Sequence, residues 1–225
     1  MILNIKLFTL LLFLCLFSKI NATDDDNRLW QSIITEGKMN ENIGWYIELQ
    51  GRFKNDMEDF DQAIFRPALN FTVSEQAKLW VGYAYIDTKS VDSHNYEDRW
   101  WQQFQYDSSY KDYTWLSRTR IEQRHLNIED QTSYRLRQQM RLSFPFNKIN
   151  NLHFLIWDEV FWNMNDTPWA GDHGFNQNRL FTGVMLKYND ASRFEIGYLN
   201  QYINNTNGLN DQMNHVLSSN VVFGF

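Results

Sequence analysis

The stretch YTWLSRTRIEQRHLNIEDQTSYRLRQQMRLSF, residues 113–144, decides the fold because it carries six arginines on alternating positions of two segments. A period of two is typical of β-strands, whose successive side chains point to opposite faces. If residues 127–131 close an antiparallel hairpin, Arg120 lies opposite Arg137 and Glu122 lies opposite Arg135. One face of the hairpin is then densely charged, and the other is apolar and aromatic.

The same alternation recurs along the rest of the chain. With the two hairpin segments it predicts about eleven strands, the others being 28–34, 43–54, 60–73, 79–87, 99–106, 152–162, 175–188, 193–203 and 213–225. Pro67 predicts a bulge, because proline removes a hydrogen bond from the ladder. Longer polar loops are predicted at 88–97, 163–174 and 204–211 and alternate with short turns, which is the loop asymmetry of an outer-membrane barrel.

An odd number of strands conflicts with a purely antiparallel barrel whose two chain ends lie on the same side of the membrane. We therefore expect about ten membrane strands, within a range of about 10–12, formed by residues 41–225. Residues 23–40 are expected to line the lumen or the periplasmic rim.

The first 22 residues have the features of a secretory signal peptide, with Lys6 before an apolar run and Ile20-Asn21-Ala22 as the cleavage site. We expect cleavage after Ala22. Loss of the two leader lysines leaves 19 basic and 27 acidic side chains, a formal charge of −8 that gives no case for nucleic-acid binding. The exported chain has no cysteine, because Cys15 lies in the leader. No later stretch reaches the ~18 consecutive apolar residues of a spanning helix.

Three features favour a membrane barrel over a soluble barrel or sandwich. Arginines lie within the predicted strands and lysines in or beside turns, and buried polar networks favour the planar guanidinium. The chain stops in an alternating strand ending at Phe225, which resembles the signature read by the outer-membrane assembly machinery. Large aromatic residues gather near predicted strand ends, as interfacial girdles require, at Trp45, Trp80, Trp100, Trp101, Trp115, Trp162 and Tyr188.

The prediction is therefore an all-β, up-and-down transmembrane barrel in a bacterial outer membrane, with a polar lumen rich in arginine and glutamate. Its expected partners are outer-membrane lipid, lipopolysaccharide and the assembly machinery. The sequence indicates no oligomeric state and no cofactor. A soluble periplasmic β-protein with an apolar ligand is the remaining alternative.

Several short motifs resemble a known bacterial outer-membrane family, the one catalogued as domain of unknown function 2490. The motifs are Arg118-Thr119-Arg120-Ile121-Glu122-Gln123-Arg124, Tyr134-Arg135-Leu136-Arg137, Trp157-Asp158-Glu159, Phe175-Asn176-Gln177-Asn178-Arg179 with Gly183, and Gly197-Tyr198. The resemblance covers nearly all of the exported chain. It implies a barrel without an assigned activity.

The candidate site is the charged inner face, a lumenal polar network. Its members are Glu48, Arg52, Arg66, Arg118, Arg120, Glu122, Arg124, Arg135, Arg137, Arg141, Glu159, Arg179 and Glu195. One interpretation is a structural barrel whose lumen is plugged by arginine–carboxylate pairs. The other is a small anion-preferring pore, because positive charge outnumbers negative in this set. If the charged face lies inside the barrel, Arg120 or Arg137 is expected within ion-pair distance of a carboxylate from another strand; side chains that point into lipid or bulk solvent would contradict this placement.

An outer-membrane hydrolase is the alternative from a different class, and it needs a serine beside a histidine. His215 and Ser219 share a strand face but lie ~13 Å apart along it, whereas Ser218 points to the opposite face. Three other histidines are predicted in loops or at the hairpin tip, at His94 with Ser93, His125, and His173 with Asp172. A loop cation at Asp166, Asp172 and His173 lacks a recurring ligand spacing, so no catalytic or metal residue is assigned.

Overall fold

A computed structural model describes residues 23–90, 93–146, 149, 151–189, 191–206 and 210–225. The leader and the cleavage point after Ala22 lie outside these residues. Among them, no helix is long and apolar enough to cross a bilayer.

The described residues form eleven strands that close into a single barrel. They are β1 Thr23–Lys38, β2 Ile43–Lys54, β3 Asp59–Thr72, β4 Ala77–Lys89, β5 His94–Tyr110, β6 Tyr113–Leu126, β7 Ser133–Pro145, β8 Leu152–Asn163, β9 Gly174–Lys187, β10 Arg193–Ile203 and β11 Asp211–Gly224. Each strand pairs antiparallel with its neighbours in sequence, and β11 closes the ring on β1. The all-β barrel predicted from the alternating pattern is confirmed.

The arginine-rich hairpin is β6 and β7, and its register is the one predicted. Arg120 is paired with Arg137, and Glu122 with Arg135. Because a slip of one residue would turn every arginine to the other face, this register fixes which surface of the barrel is charged.

The prediction that residues 23–40 line the lumen or the rim is not what the structure shows, since β1 is part of the barrel wall. β1 pairs in parallel with β11, from Thr23 beside Asp211 to Glu36 beside Gly224, and antiparallel with β2. The parity argument assumed antiparallel pairs throughout. One parallel pair lets an odd number of strands close, and it places Thr23 and Gly224 at opposite ends of the barrel.

Several strand limits also differ from the sequence-based ones. The predicted loop at 88–97 is mostly strand, because β4 continues to Lys89 and β5 begins at His94. At Pro67 the β3–β4 pairing is interrupted without a shift of register. The register shifts lie elsewhere, between Arg52 and Phe53 and between Phe161 and Trp162.

The two ends of the barrel carry connections of different length. At one end, called the loop end below, the chain passes from β2 to β3, from β4 to β5, from β6 to β7, from β8 to β9 and from β10 to β11. At the other, called the C-terminal end because β11 finishes there, it passes from β1 to β2, from β3 to β4, from β5 to β6, from β7 to β8 and from β9 to β10. The longest connection, 164–173, therefore lies at the end where β1 begins.

Side chains alternate between a buried inner face and an exposed outer face. Large apolar residues are exposed on the outer face, for example Leu49, Leu79 and Phe104, at 54%, 49% and 46%. Trp80 and Trp101, predicted for the interfacial girdle, are instead buried inside with Ala68. Each directly follows a residue that points outward, Leu79 or Trp100, so the period of two places both tryptophans on the inner face.

Candidate functional site in the barrel interior

All thirteen residues predicted for the lumenal polar network are shielded from solvent. Eight are buried, namely Glu48, Arg120, Glu122, Arg124, Arg135, Arg137, Glu159 and Glu195. The other five are half-buried, namely Arg52, Arg66, Arg118, Arg141 and Arg179. Burial of this many charges is possible only where each one finds hydrogen-bonding partners, so the pairing decides what the interior does.

An ion-pair cluster spans strands β6 to β8, and Glu122 is at its centre. Glu122 accepts hydrogen bonds from Arg135, at 3.0 and 2.6 Å, and from Arg137 at 2.7 Å. Arg137 continues to Glu159, at 3.0 and 2.9 Å, and Glu159 also accepts from Arg118 at 2.7 Å. Arg137 thus bridges carboxylates from both neighbouring strands, which is the cross-strand contact expected from the sequence.

A second group in the ion-pair cluster lies towards the loop end and joins the predicted Arg124 to Glu97 and Arg99, which are not among the thirteen predicted residues. Glu97 accepts bonds from Arg99, at 2.5 and 2.8 Å, and from Arg124, at 2.6 and 3.2 Å. The polar composition of residues 88–97 predicts a loop, whereas Glu97 lies on β5. The alternation of Glu97, Arg99, Trp101 and Gln103 was the signal that could have shown it.

The loop end is covered by the connection 164–173. The ring of Trp169 lies 4.7 Å from the guanidinium carbon of Arg124, and its indole nitrogen donates to the carbonyl of Gln131 at 2.9 Å. Asn163 fastens the same connection by donating to the carbonyls of Ala170 and Asp172. The connection 164–173 is thus in contact with the ion-pair cluster through Trp169 and Arg124.

Other ion pairs line the half nearest the C-terminal end. Glu195 accepts from Arg141, at 2.6 and 3.3 Å, and from Arg193 at 3.1 Å. Glu48 is paired with Arg66 and accepts the hydroxyl of Tyr46 at 2.6 Å. These pairs stand against the wall and leave the centre of this half open.

Two arginines, Arg52 and Arg179, have amide partners instead of carboxylates. Arg52 donates to Gln50 at 2.7 Å and to Gln62 at 3.0 Å. When the side-chain oxygen of Gln177 faces Arg179 and Gln201, it accepts hydrogen bonds from the guanidinium of Arg179 at 2.5 and 3.0 Å. Both guanidinium carbons lie over the ring of Trp30, at 3.9 and 4.8 Å. In the described part of the chain, neither guanidinium comes within ion-pair distance of a carboxylate.

The open half is a cup with a cavity volume of about 1050 Å³. Its floor contains Arg52, Arg120, Arg137, Arg179 and Trp30, and its mouth is at the C-terminal end, beside Glu36, Glu75 and Phe225. Glu97, Glu122, Arg124 and Arg135 of the ion-pair cluster do not line it, so the cup stops at the level of the cluster.

The hydrolase candidates have partners other than serine. His215 lies 2.6 Å from the hydroxyl of Tyr198 on the outer face, and Ser218 is buried inside the barrel. His94 pairs with Asp87 at 2.7 Å, and the backbone N–H of His173 donates to Asp166 at 2.5 Å. Across the described ranges, no three side chains of histidine, cysteine, aspartate or glutamate come together in a metal-binding arrangement.

Phe225, predicted as an insertion signal, is anchored although its ring is exposed. Its backbone N–H donates to the carbonyl of Glu36 at 2.9 Å, and its ring stacks on Trp45 with centroids 6.1 Å apart. The terminal aromatic therefore stands on the outer face at the C-terminal end of the barrel.

Comparison with known proteins gives a family without an activity. The profile of the family described as "Protein of unknown function (DUF2490)" matches residues 27–214. An uncharacterised protein of Methylorubrum extorquens is 32% identical over 199 residues, which is 87% of this chain and 86% of that protein. No solved structure matches the chain significantly.

Proposed function

The chain belongs to the family of proteins of unknown function DUF2490, and we propose that it is a bacterial outer-membrane barrel whose lumen is closed by the ion-pair cluster. The observation that carries this proposal is the inverted placement of side chains. Buried carboxylates and guanidiniums fill the interior, while large apolar residues are exposed on the outer face. A monomer in water rarely exposes more than a few hundred Å² of contiguous apolar surface, whereas a lipid-facing barrel wall requires it.

Aromatic pairs at both barrel ends support the same location. At the C-terminal end Trp45 stacks on Phe225 and Phe144 stacks on Phe154. At the loop end Phe175 stacks on Tyr202. Aromatic rings at two levels suit the two membrane–water interfaces, so lipid and lipopolysaccharide are the proposed partners of the outer face.

The orientation follows from the proposed location. Outer-membrane barrels have short periplasmic turns and longer outer loops, so the loop end faces the outside and the cup opens to the periplasm. The strand that ends at Phe225 is then the proposed segment read by the assembly machinery, and the leader 1–22 is the proposed export signal.

Closure of the lumen is supported by the contacts of Glu122, Arg135 and Arg137, whose buried side chains join neighbouring strands β6 to β8 on the inner face of the barrel. The covering loop with Trp169 adds a second obstruction on the same side. An ion that entered the cup would meet side chains fixed by two or more hydrogen bonds each.

Two measurements test the proposal. Expressed in a Gram-negative host, the protein should appear in the outer-membrane fraction and migrate on gels in a heat-modifiable way. Extraction without detergent would instead favour a soluble periplasmic protein. Purified protein in planar lipid bilayers should show no stepwise conductance, and regular channels with a preference for anions would replace the closed barrel with the pore alternative.

A further inference from the structure

We propose that the cup is a binding site for a small organic anion, a molecule with one phosphate or carboxylate head on an apolar body. The site is defined by the barrel interior itself. Only its access from the periplasm rests on the proposed orientation.

The floor of the cup carries more positive charge than its carboxylates balance. Glu48 is engaged by Arg66, and Glu159 is shared by Arg118 and Arg137. This leaves the guanidiniums of Arg52, Arg120 and Arg179, which also line the cavity.

Arg120 has one carboxylate oxygen near it, that of Glu122 at 3.9 Å, and Glu122 is already bonded to Arg135 and Arg137. Its short hydrogen bonds go to the amide of Gln103, at 2.9 and 2.6 Å. A neutral amide does not compensate the charge, and an uncompensated charge shielded from water is unfavourable. An anion in the cup would offset that cost for Arg52, Arg120 and Arg179 together.

The lining of the cup is also short of hydrogen-bond acceptors. Four shielded N–H groups of cup-lining residues have no partner among the described residues, namely the indole nitrogens of Trp30, Trp80 and Trp101 and the Nε of Arg118. Arg52 and Arg179 use amide oxygens for want of carboxylates. Phosphate and carboxylate groups supply acceptors only, and a guanidinium fork binds both with two parallel hydrogen bonds.

One wall of the cup is apolar, which argues for an organic ligand. Trp157, Met185, Leu199 and Val222, from strands β8 to β11, line the same cavity as the arginines. Met185 and Leu199 belong to a buried apolar cluster with Trp30. Small-molecule sites combine such apolar lining with a few polar groups that fix orientation, and a volume of about 1050 Å³ admits a ligand of that class.

The proposal is tested by titration calorimetry of the full exported chain, purified in a non-ionic detergent. The probes are phenyl phosphate and benzoate. Inorganic phosphate represents the anionic head without an apolar body, and phenol represents the apolar body without an anionic head. We expect saturable 1:1 binding of phenyl phosphate or benzoate, at least about tenfold tighter than that of inorganic phosphate or phenol. Tighter binding of phenyl phosphate would indicate a site for a phosphate head, and tighter binding of benzoate would indicate a site for a carboxylate head.

The variant Arg52→Gln/Arg179→Gln should weaken this binding by about tenfold or more. Removing unpaired charges breaks no ion pair, so the same variant should keep heat-modifiable migration and resist urea at least as well as the unaltered protein. Arg28→Gln is the matched control, because Arg28 pairs with Asp26 outside the cup, and its binding should be unchanged.

Three results would overturn the proposal: no binding at millimolar probe, equal binding of phenol, or full binding by the folded double variant. None of them depends on bilayer conductance, which is measured without ligand. A conducting barrel would refute the closed lumen and leave the anion site to be judged by calorimetry.

Discussion

At the scale of single residues, Glu122 holds the ion-pair cluster together. It is 2% exposed and receives bonds from two arginines on the neighbouring strand. Removing one partner of a shielded ion pair is costly because the remaining charges are left uncompensated, whereas removing both can be nearly neutral.

Glu122→Gln should therefore lower the free energy of unfolding by about 3–5 kcal/mol, measured by urea unfolding of the barrel in lipid vesicles. The double variant Glu122→Gln/Arg135→Gln should recover part of the loss. A single variant as stable as the unaltered protein would mean that the cluster fills space without holding strands β6 and β7 in place.

Gly82 shows how an aromatic residue shapes the inner wall. The indole of Trp101 lies directly over Gly82, and a methyl group at Gly82 would also come within 2.9 Å of the side chain of Ala68. Trp101 is held in turn by Arg120, whose guanidinium carbon lies 3.9 Å from the ring. The absence of a side chain at Gly82 is what allows the tryptophan to lie flat beneath the floor of the cup.

Gly82→Ala should overpack this contact and cost about 1–3 kcal/mol of stability. Gly51→Ala is the matched control, since a methyl group there would meet only the ring of Phe53 at 3.9 Å, an ordinary contact. The comparison is made by guanidinium unfolding followed by tryptophan fluorescence. Equal stability of the two variants would contradict the packing of Trp101 on Gly82.

At the scale of strands, the decisive contact is the parallel pairing of β1 with β11. It is the one parallel pair in the described barrel, and it runs over almost the whole of both strands. If β1 left the wall, β2 and β11 would each present an unpaired edge. Edges of this kind invite aggregation, and a bilayer does not tolerate them.

The pairing is tested with cysteines, which residues 23–225 lack. Ile33→Cys and Val221→Cys are direct partners, so a short thiol-specific crosslinker should join them in folded protein and change its gel mobility. Ile33→Cys with Leu217→Cys places the thiols four residues out of register, ~13 Å apart, and should not react. Crosslinking of the second pair alone would show a different closure.

At the scale of the whole molecule, the parallel closure gives the two chain ends different surroundings. Asp24 lies at the loop end with Glu129, whereas Glu75 lies at the C-terminal end with Phe225. In an all-antiparallel barrel with an even number of strands, both chain ends would lie on one side. The position of Asp24 therefore reports both the closure and the proposed orientation.

Single cysteines at these exposed positions should separate the two ends in intact cells. Asp24→Cys and Glu129→Cys should react with a membrane-impermeant maleimide, and Glu75→Cys should react only after the cells are broken. Labelling of Glu75→Cys in intact cells would reverse the proposed orientation. Labelling of Glu129→Cys without Asp24→Cys would contradict the parallel closure.

Much of the fold could be predicted from the sequence because barrel strands have a strict period of two. That period gave the β6–β7 register, the limits of β2 at Ile43–Lys54, and the face on which each arginine lies. The prediction was wrong at Glu97, where a run of polar residues was interpreted as a loop. It was also wrong at Trp80 and Trp101, which were assigned to the interfacial girdle because they are tryptophans although their position in the alternation places them inside. Strand ends are set by hydrogen bonds to the neighbouring strand, so they cannot be predicted from the residues of one strand alone.

The sequence by itself therefore determined that the chain is a β-barrel with a charged face and an apolar face, because local alternation encodes both. Only the tertiary structure decided that eleven strands close through a parallel pair, since closure joins residues nearly two hundred positions apart, such as Arg28 and Val216. It also decided which arginines meet carboxylates. Arg137 and Arg179 look alike in the sequence, but Arg137 meets a glutamate from each of the two strands beside its own, whereas Arg179 bonds to the amide of Gln177 and lies over Trp30 of β1.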